Sequence, residues 1–284
     1  MAIDKFKETV KALRDKEKGC PWVKQQTHSS LKRYLLEELY ECLEAVDEVT
    51  DSNSEADIEK ANKTLKEELG DVLLQVMLHS QIAEERGAFS FADVVKDIDE
   101  KMIRRNPHVF ATAKAENTDE VDNNWEKIKK AEKKSRKSIF EGIPKELPSL
   151  ARAWKISKKA VRESFEWDEE EKLYEQLNSE IEEFKEVTLK KEKLSEEEHA
   201  EAELELGDIL FTVVNLARWF KIDPEEALRR TNNKFVERFN IMVEIIKETG
   251  SSGLKEHSPS ELQDFWQKAK YKQLELKSKE ALSQ

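Results

Sequence analysis

The sequence predicts an all-α fold made of two tandem helical-bundle domains, and three observations lead to this prediction. Glycine and proline are scarce, with 7 and 6 residues among 284, about 5% together against 12% in average proteins. Apolar residues recur at helical spacing, and one order of motifs occurs twice. Charged residues make up 39% of the chain, which suits long helices with hydrated outer faces. So few chain breakers exclude collagen-like, linker-like and turn-rich β architectures.

Apolar residues three or four positions apart predict the long helices of both halves. In the first half these residues are Leu31, Leu35, Leu39, Leu43, Val46 and Val49, and then Leu65, Leu69, Val72 and Val76. In the second half they are Leu173, Leu177, Ile181, Phe184 and Val187. A polar stretch at residues 51–55 predicts the loop between the first two long helices.

A short stretch near the middle of the chain collects three helix breakers. Gly142, Pro144 and Pro148 lie within the sequence SIFEGIPKELPSL. Because glycine and proline interrupt helices, we interpret this stretch as a hinge. The predicted organisation is a first domain at residues 1–137, a hinge at 138–150 and a second domain at 151–284.

The two halves repeat one order of charged and aromatic residues, namely ExxE, ExxD, KxxxR and WxxxK. The tetrapeptide ELGD begins at Glu68 and again at Glu205. The first set is Glu38, Glu41, Glu68, Asp71, Lys101, Arg105, Trp125 and Lys129. The second set is Glu180, Glu183, Glu205, Asp208, Lys234, Arg238, Trp266 and Lys270. Such repetition indicates two structural units of the same kind.

The repeated carboxylates predict a metal site in each half. Members of ExxE and ExxD are three positions apart and project from one side of a helix. Glu38 and Glu68 border the apolar stripes, so packing of the stripes would turn both acidic edges toward one groove. Like charges repel there unless a cation neutralises them. An all-oxygen ligand set suits Mg²⁺, with Mn²⁺ as an alternative ion, whereas di-iron bundles use Glu-x-x-His and this chain has Glu41 at that place.

The basic residues and tryptophans predict what the metal sites act on. Mg²⁺ commonly bridges carboxylates to substrate phosphates, so basic groups beside the cluster predict a phosphorylated substrate. Each tryptophan offers either a stacking surface for a base or a wedge that closes the bundle. Taken singly, a charged motif is more often a solvated helix face and a tryptophan more often core. Their recurrence in one order favours the functional interpretation.

Gly70 and Gly207 lie inside helical patterns, where glycine costs about 1 kcal/mol relative to alanine. Close approach to a neighbouring helix and room for a metal-bound phosphate are two explanations, and the sequence does not choose between them.

Composition excludes several other classes of protein. The formal net charge of -12 opposes general binding to nucleic acid, because phosphate contacts need a basic surface. No apolar run approaches the ~20 residues of a membrane span. Cys20 and Cys42 are expected to be free thiols, and the charged amino terminus lacks a secretory core, so we expect a cytoplasmic protein.

Several longer segments together resemble the MazG family, two-domain nucleoside triphosphate pyrophosphohydrolases of the all-α NTP pyrophosphatase superfamily. The resemblance covers nearly the whole chain. Its segments are GCPWVKQQTHSSL, LLEELYECLEA, KEELGDVLLQVMLHSQIAEE, RRNPHVF, IFEGIPKELPSLARA, ELELGDILFTVVNLAR and NNKFVERF.

The resemblance implies hydrolysis of nucleoside triphosphates, ATP among them, to nucleoside monophosphate and pyrophosphate by a homodimer whose bundles both chains complete. It implies that Mg²⁺ is held by Glu38, Glu41, Glu68 and Asp71, and by Glu180, Glu183, Glu205 and Asp208. The nucleotide would be surrounded by Lys101, Arg105, Trp125 and Lys129, and by Lys234, Arg238, Trp266 and Lys270.

The catalytic carboxylates are predicted to be Glu37 and Glu38 in the first half and Glu182 in the second. Ser179 stands where the first half has Glu37. If Glu37 orients the attacking water, the second site needs another group, for which Glu182 is the candidate. Two alternatives stay open: a helical interaction or regulatory scaffold that binds metal without turnover, and a chain in which only one half catalyses.

Overall fold

The computed structural model describes residues 2–52, 54–111, 113–132, 138–189, 191, 193–251 and 253–282. Within these residues the chain forms eleven α-helices and no strand, which confirms the predicted all-α class. None of the described helices is both long enough and apolar enough to cross a membrane.

Helix packing divides the chain into two compact units, residues 1–134 and 135–283. The helices of unit 1 are α1 (Ala2–Leu13), α2 (Lys32–Asp51), α3 (Glu55–Glu85), α4 (Phe91–Arg105), α5 (Pro107–Phe110) and α6 (Thr118–Glu132). The helices of unit 2 are α7 (Ser149–Arg162), α8 (Glu170–Thr188), α9 (Glu196–Trp219), α10 (Pro224–Glu248) and α11 (Pro259–Leu282). Short 3-10 helices occur at Val23–Gln25 and Leu254–Glu256. The predicted domain limits remain a prediction, because residues 133–137 lie outside the described ones.

The long helices begin where side chains cap their free amide groups. Ser54 accepts a hydrogen bond from the Asp57 amide at the start of α3. Ser195 and Glu198 form a reciprocal capping box at the start of α9. Each such cap contributes about 1 kcal/mol and fixes where the helix starts. The positions of the predicted helices are therefore determined locally.

Each unit is built on one pair of long helices, α2 with α3 in unit 1 and α8 with α9 in unit 2. In unit 1 the core next to this pair contains Val10, Leu31, Met77, Leu78 and Ile82. In unit 2 a core between α10 and α11 contains Ile241, Met242, Ile246 and Ala269. These apolar cores fix the packing of the helices that carry the charged side chains.

The apolar stripe of α2 is only partly covered within the described chain. Leu39, Leu43 and Val46 belong to the apolar stripe that the sequence predicts, and their exposed fractions are 41%, 49% and 41%. Leu36 and Tyr40 on the same helix are also exposed. One pair of helices has too little surface to cover an apolar stripe this broad.

A buried arginine ties α1 to the end of α3. The Arg14 guanidinium donates from Nε to Glu85 Oε1 at 2.7 Å and from Nη2 to Glu85 Oε2 at 2.8 Å. Its Nη1 donates to the Val23 carbonyl at 2.8 Å. In unit 2 the positions of arginine and glutamate are exchanged. Arg218 at the end of α9 donates two hydrogen bonds of 2.6 Å to Glu166, which follows α7. A charge-assisted fork thus closes the same end of each unit.

We predict that Glu85→Gln lowers the free energy of unfolding by about 1–2 kcal/mol at neutral pH, because the buried Arg14 loses its counter-ion. Arg14 lowers the pKa of Glu85 in the folded protein. The pair therefore stabilises the fold above the unfolded pKa and loses this effect as the pH falls through the folded pKa. Urea unfolding at about pH 7 and about pH 3 should show the difference from wild type shrinking with acid. Glu84→Gln, whose carboxylate is 3.7 Å from Lys7, is the control; equal losses in both variants would contradict the prediction.

Candidate active site

Three predicted metal ligands of unit 1 converge. Glu38 and Glu41 come from α2 and Glu68 comes from α3. Each offers a carboxylate oxygen, and these oxygens lie within 4.8 Å of one another. Such a group of three carboxylates could hold a metal ion.

Unit 2 brings together a corresponding group from α8 and α9. Its members are Glu180, Glu205 and Asp208, again with carboxylate oxygens within 4.8 Å of one another. The two remaining predicted ligands, Asp71 and Glu183, lie outside these groups of three. Both are close enough to act electrostatically on them, since Asp71 raises the pKa of Glu38 and Glu183 raises that of Glu205.

Burial and mutual repulsion raise the pKa values of the central carboxyls. For Glu38 the larger cause is burial and the next is Asp71. For Glu68 and Glu205 burial again comes first, followed by Glu41 and Glu183 respectively. Without a cation, these groups destabilise the folded state above their raised pKa values, and the destabilisation fades as the pH falls through them. A bound divalent ion would remove the same repulsion at neutral pH.

Two glutamines that the sequence patterns did not single out, Gln75 and Gln176, donate hydrogen bonds to cluster carboxylates. Gln75 donates to Glu38 Oε1 at 3.3 Å, and its own Oε1 is buried without a hydrogen-bond partner. In unit 2, Gln176 donates to Glu180 at 2.6 Å and Ser179 donates to Glu183 at 2.9 Å. The sequence could have indicated Gln75, because it lies four positions after the predicted ligand Asp71 and therefore on the same face of α3. Gln75 therefore presents an amide donor to the cluster and keeps an oxygen for which the described residues supply no hydrogen-bond partner.

The predicted catalytic carboxylates differ in their surroundings. Glu38 belongs to the cluster, and Glu37 next to it is exposed and among the groups that raise the pKa of Glu38. Glu182 is exposed, and its carboxylate accepts a hydrogen bond from Lys185 at 2.8 Å. The unit 2 cluster does not include Glu182. Its catalytic role therefore stays a prediction without geometric support.

Gly70 and Gly207 border open space. A methyl group built at either position would meet no atom within 4 Å outside the local helix. Close packing against another helix of the described chain therefore does not explain these glycines. The open space leaves room beside Asp71 and Asp208 for a bound molecule or for a helix of a second chain.

The predicted basic and aromatic residues form a second group in each unit. The Arg105 guanidinium lies 5.2 Å from the Trp125 ring centroid, and Arg238 lies 5.2 Å from that of Trp266. Lys101 and Arg105 stand on α4 and Lys234 and Arg238 on α10, while Lys129 and Lys270 follow the tryptophans on α6 and α11. Across the described residues, no hydrogen bond or ion pair joins these basic groups to the carboxylate clusters. The tryptophans thus carry cations on their faces, a contact that also suits a phosphate-binding arginine.

Comparison of the sequence with protein-family models identifies a matching domain in each half of the chain. The sequence model of the MazG nucleotide pyrophosphohydrolase domain matches twice, at residues 26–110 and 168–242. The matched ranges contain every carboxylate of both clusters, whereas Trp125 and Trp266 lie outside them.

Relatives match along most of the chain. It is 43% identical over 269 residues to the nucleoside triphosphate pyrophosphohydrolase/pyrophosphatase MazG of Thermotoga maritima, a match covering 93% of this chain and 95% of that protein. It is 36% identical over 282 residues to the nucleoside triphosphate pyrophosphohydrolase of Escherichia coli, covering 96% and 99%. It is 44% identical over 267 residues to the uncharacterized protein YabN of Bacillus subtilis, covering 93% of this chain and 51% of that protein. The chain belongs to the MazG nucleotide pyrophosphohydrolase family.

Proposed function

We propose that the chain hydrolyses nucleoside triphosphates, ATP among them, to nucleoside monophosphate and pyrophosphate in a reaction that needs Mg²⁺, with Mn²⁺ as an alternative ion. The observation that carries the proposal is the carboxylate group of three, which occurs at corresponding places in both family-matched segments. The activity itself is that named for the relatives from Thermotoga maritima and Escherichia coli.

The acidic residues have the role of holding the metal. In unit 1 they are Glu38, Glu41, Glu68 and Asp71, and in unit 2 they are Glu180, Glu183, Glu205 and Asp208. Burial and the neighbouring carboxylates raise the pKa values of Glu38, Glu68 and Glu205, and a divalent cation would stabilise the ionised forms of these groups. When bound, the ion neutralises the triphosphate and polarises the phosphoryl group under attack.

Carboxylates at the edge of the cluster have the role of the base. Glu37 or Glu38 accepts a proton from the water that attacks the α-phosphorus, and the bond from that phosphorus to the α–β bridging oxygen breaks. Pyrophosphate carries away the bridging oxygen. In unit 2, Ser179 replaces Glu37. The role then falls to Glu182, whose carboxylate accepts a hydrogen bond from Lys185, or to Glu180 within the cluster.

The basic residues stabilise the charge that develops on the phosphates. Lys101, Arg105 and Lys129 do so in unit 1, and Lys234, Arg238 and Lys270 do so in unit 2. Trp125 and Trp266 hold the two guanidinium groups by cation–π contacts. The aromatic rings therefore position the arginines whether or not a base stacks on them.

The proposal includes a homodimer that covers the open apolar surfaces. The α2 stripe, consisting of Leu36, Leu39, Tyr40, Leu43 and Val46, is 41–56% exposed in the single chain. A continuous apolar helix face of this kind is typical of a surface that another helix covers. Cytoplasmic location is also part of the proposal, and the two free cysteines agree with it.

We predict that Glu68→Ala combined with Glu205→Ala lowers Mg²⁺-dependent pyrophosphate release at least about a hundredfold, because both ligand sets are broken. Products from a mixture of nucleoside triphosphates are separated and quantified. Magnesium should also raise the melting temperature of the wild type more than that of this variant.

The identity of the product and the activities of the two single variants distinguish the proposed reaction from the alternatives. Nucleoside diphosphate as the product would contradict the proposed reaction, and absence of turnover in the wild type would favour the metal-binding scaffold. Glu68→Ala and Glu205→Ala assayed separately decide whether one half or both halves catalyse. Full activity in the double variant would refute the assigned metal sites.

We predict opposite effects on stability and activity for Gly70→Ala with Gly207→Ala. Each change should add about 0.5–1 kcal/mol to the free energy of unfolding, because alanine is the better helix former and its methyl group meets no atom of the described chain within 4 Å outside the local helix. Activity should fall about tenfold if the methyl groups intrude on space that a metal-bound phosphate needs. Chemical unfolding and a pyrophosphate assay measure the two effects. Unchanged activity would remove the glycines from the site.

We predict a mass in solution of twice the 33.1 kDa of the chain, measured by size-exclusion chromatography with light scattering. Leu39→Glu with Leu43→Glu should shift the species toward 33.1 kDa, because charges would enter an apolar interface. Leu39→Met with Leu43→Met is the matched control and should leave the mass unchanged. A wild type of single-chain mass at all concentrations would contradict the dimer.

A further inference from the structure

The two units present different partners to the arginine that lies over each tryptophan. Both guanidinium groups are 5.2 Å from the ring centroid, so their surroundings can be compared directly. Positions on α4 correspond to positions 133 residues later on α10, as Arg105 does to Arg238. Positions on α6 correspond to positions 141 residues later on α11, as Trp125 does to Trp266.

In unit 1 a carboxylate occupies one edge of the guanidinium. Arg105 donates from Nη2 to Glu132 Oε2 at 2.5 Å and from Nε to Glu132 Oε1 at 3.5 Å. Arg104 donates to the same carboxylate at 2.6 Å. The two arginines hold the pKa of Glu132 at about 2, so this carboxylate is ionised at neutral pH. The Nε–Nη2 edge is one of the edges by which arginine binds phosphate in a fork.

In unit 2 a neutral amide takes the place of that carboxylate. Gln273 corresponds to Glu132, and the Arg238 Nε donates to Gln273 Oε1 at 3.1 Å. The Gln273 amide nitrogen in turn donates to Glu237 at 2.6 Å. Within the part of the chain that the structure describes, Arg238 forms no ion pair. Its terminal nitrogens are therefore left for a phosphate.

Among the described residues, the lysine four positions after each tryptophan also has an acidic partner only in unit 1. Lys129 lies 3.0 Å from Glu126 Oε1 in unit 1. The residue corresponding to Glu126 is Gln267, and Lys270 forms no ion pair with any described residue. Two acidic partners on α6 are thus replaced by two amides on α11.

Net charge does not account for the difference. The unit 1 positions are Lys101, Arg104, Arg105, Glu126, Lys129 and Glu132, with a net charge of +2. The corresponding unit 2 positions are Lys234, Glu237, Arg238, Gln267, Lys270 and Gln273, also with +2. The units differ in which basic groups form ion pairs with carboxylates. A phosphate that binds the arginine must displace a carboxylate from it only in unit 1.

On the basis of the proposed function, we infer that Glu132 competes with the substrate triphosphate for Arg105, and that Gln273 relieves this competition at Arg238. Unit 2 consequently binds the nucleotide more tightly than unit 1. Glu132 and Gln273 set the affinity through the arginines and are positioning residues. Glu126 and Gln267 act in the same direction on Lys129 and Lys270.

The test exchanges the two residues in the full-length chain. The probe is the ATP analogue with a methylene group at the α–β bridge, titrated by calorimetry with Mg²⁺ present. In a Glu205→Gln background, Glu132→Gln should tighten binding at unit 1 about fivefold, as expected for removal of a partly exposed charge-assisted contact. In a Glu68→Gln background, Gln273→Glu should weaken binding at unit 2 by a similar factor. With ATP as substrate, KM should follow these changes while kcat stays within about twofold.

Charge changes elsewhere in the same units serve as controls. Glu84→Gln matches Glu132→Gln, and Gln263→Glu on α11 matches Gln273→Glu; neither control should change the dissociation constant. If Gln273→Glu does not fold, Glu237→Arg with Gln273→Glu recreates the unit 1 set and should weaken binding likewise. If unit 1 binds nothing in either form, the unit 2 comparison decides alone.

The outcomes distinguish the inference from the function on which it rests. Binding in both backgrounds that responds no more to the exchanges than to the controls overturns the inference and leaves the function intact. Weaker binding by Glu132→Gln also overturns it, because Glu132 would then orient Arg105 productively. Absence of binding in both backgrounds, with no pyrophosphate released by the wild type, overturns the proposed function and the inference with it.

Discussion

Repulsion between carboxylates held on paired helices is the constraint on which the rest of the structure depends. Oxygens from α2 and α3 lie within 4.8 Å of one another, as do oxygens from α8 and α9. Burial is the largest cause of the raised pKa values of Glu38, Glu68 and Glu205, and repulsion from neighbouring carboxylates adds to it. The arrangement is retained in both units although it opposes folding, so the caps, the apolar cores and the arginine forks must supply the compensating stability.

The two units share a frame and differ in how charges are paired on it. Each unit contains a bidentate arginine–glutamate pair. In unit 1 the arginine directly follows α1 and its partner is on α3, whereas in unit 2 the arginine is on α9. The carboxylate group recurs with different members, since Asp208 belongs to it and Asp71 does not. The same helix packing in both units therefore does not determine the charge pairing at the site. Exchange of one carboxylate for an amide changes which groups the neighbouring arginine hydrogen-bonds.

Sequence patterns predicted the fold class and the helices well, because spacing and capping act within a few residues of the chain. They also predicted that Glu38, Glu41 and Glu68 converge, since the repeated ExxE and ELGD motifs identified these positions. Gln75 was missed although its spacing placed it on the same face. The exposure of Leu39 and Leu43 in the single chain does not follow from periodicity, which identifies an apolar stripe and not the area available to cover it.

By itself the sequence determined where helices run, which residues share a face and that the pattern occurs twice. These properties follow from the fixed rise and turn of the α-helix. Only the tertiary structure decided which carboxylates meet, that open space adjoins Gly70 and Gly207, and that Arg105 faces Glu132 while Arg238 faces Gln273. Those contacts join residues on different helices, so they depend on how the helices pack and on side-chain rotamers that no local pattern encodes.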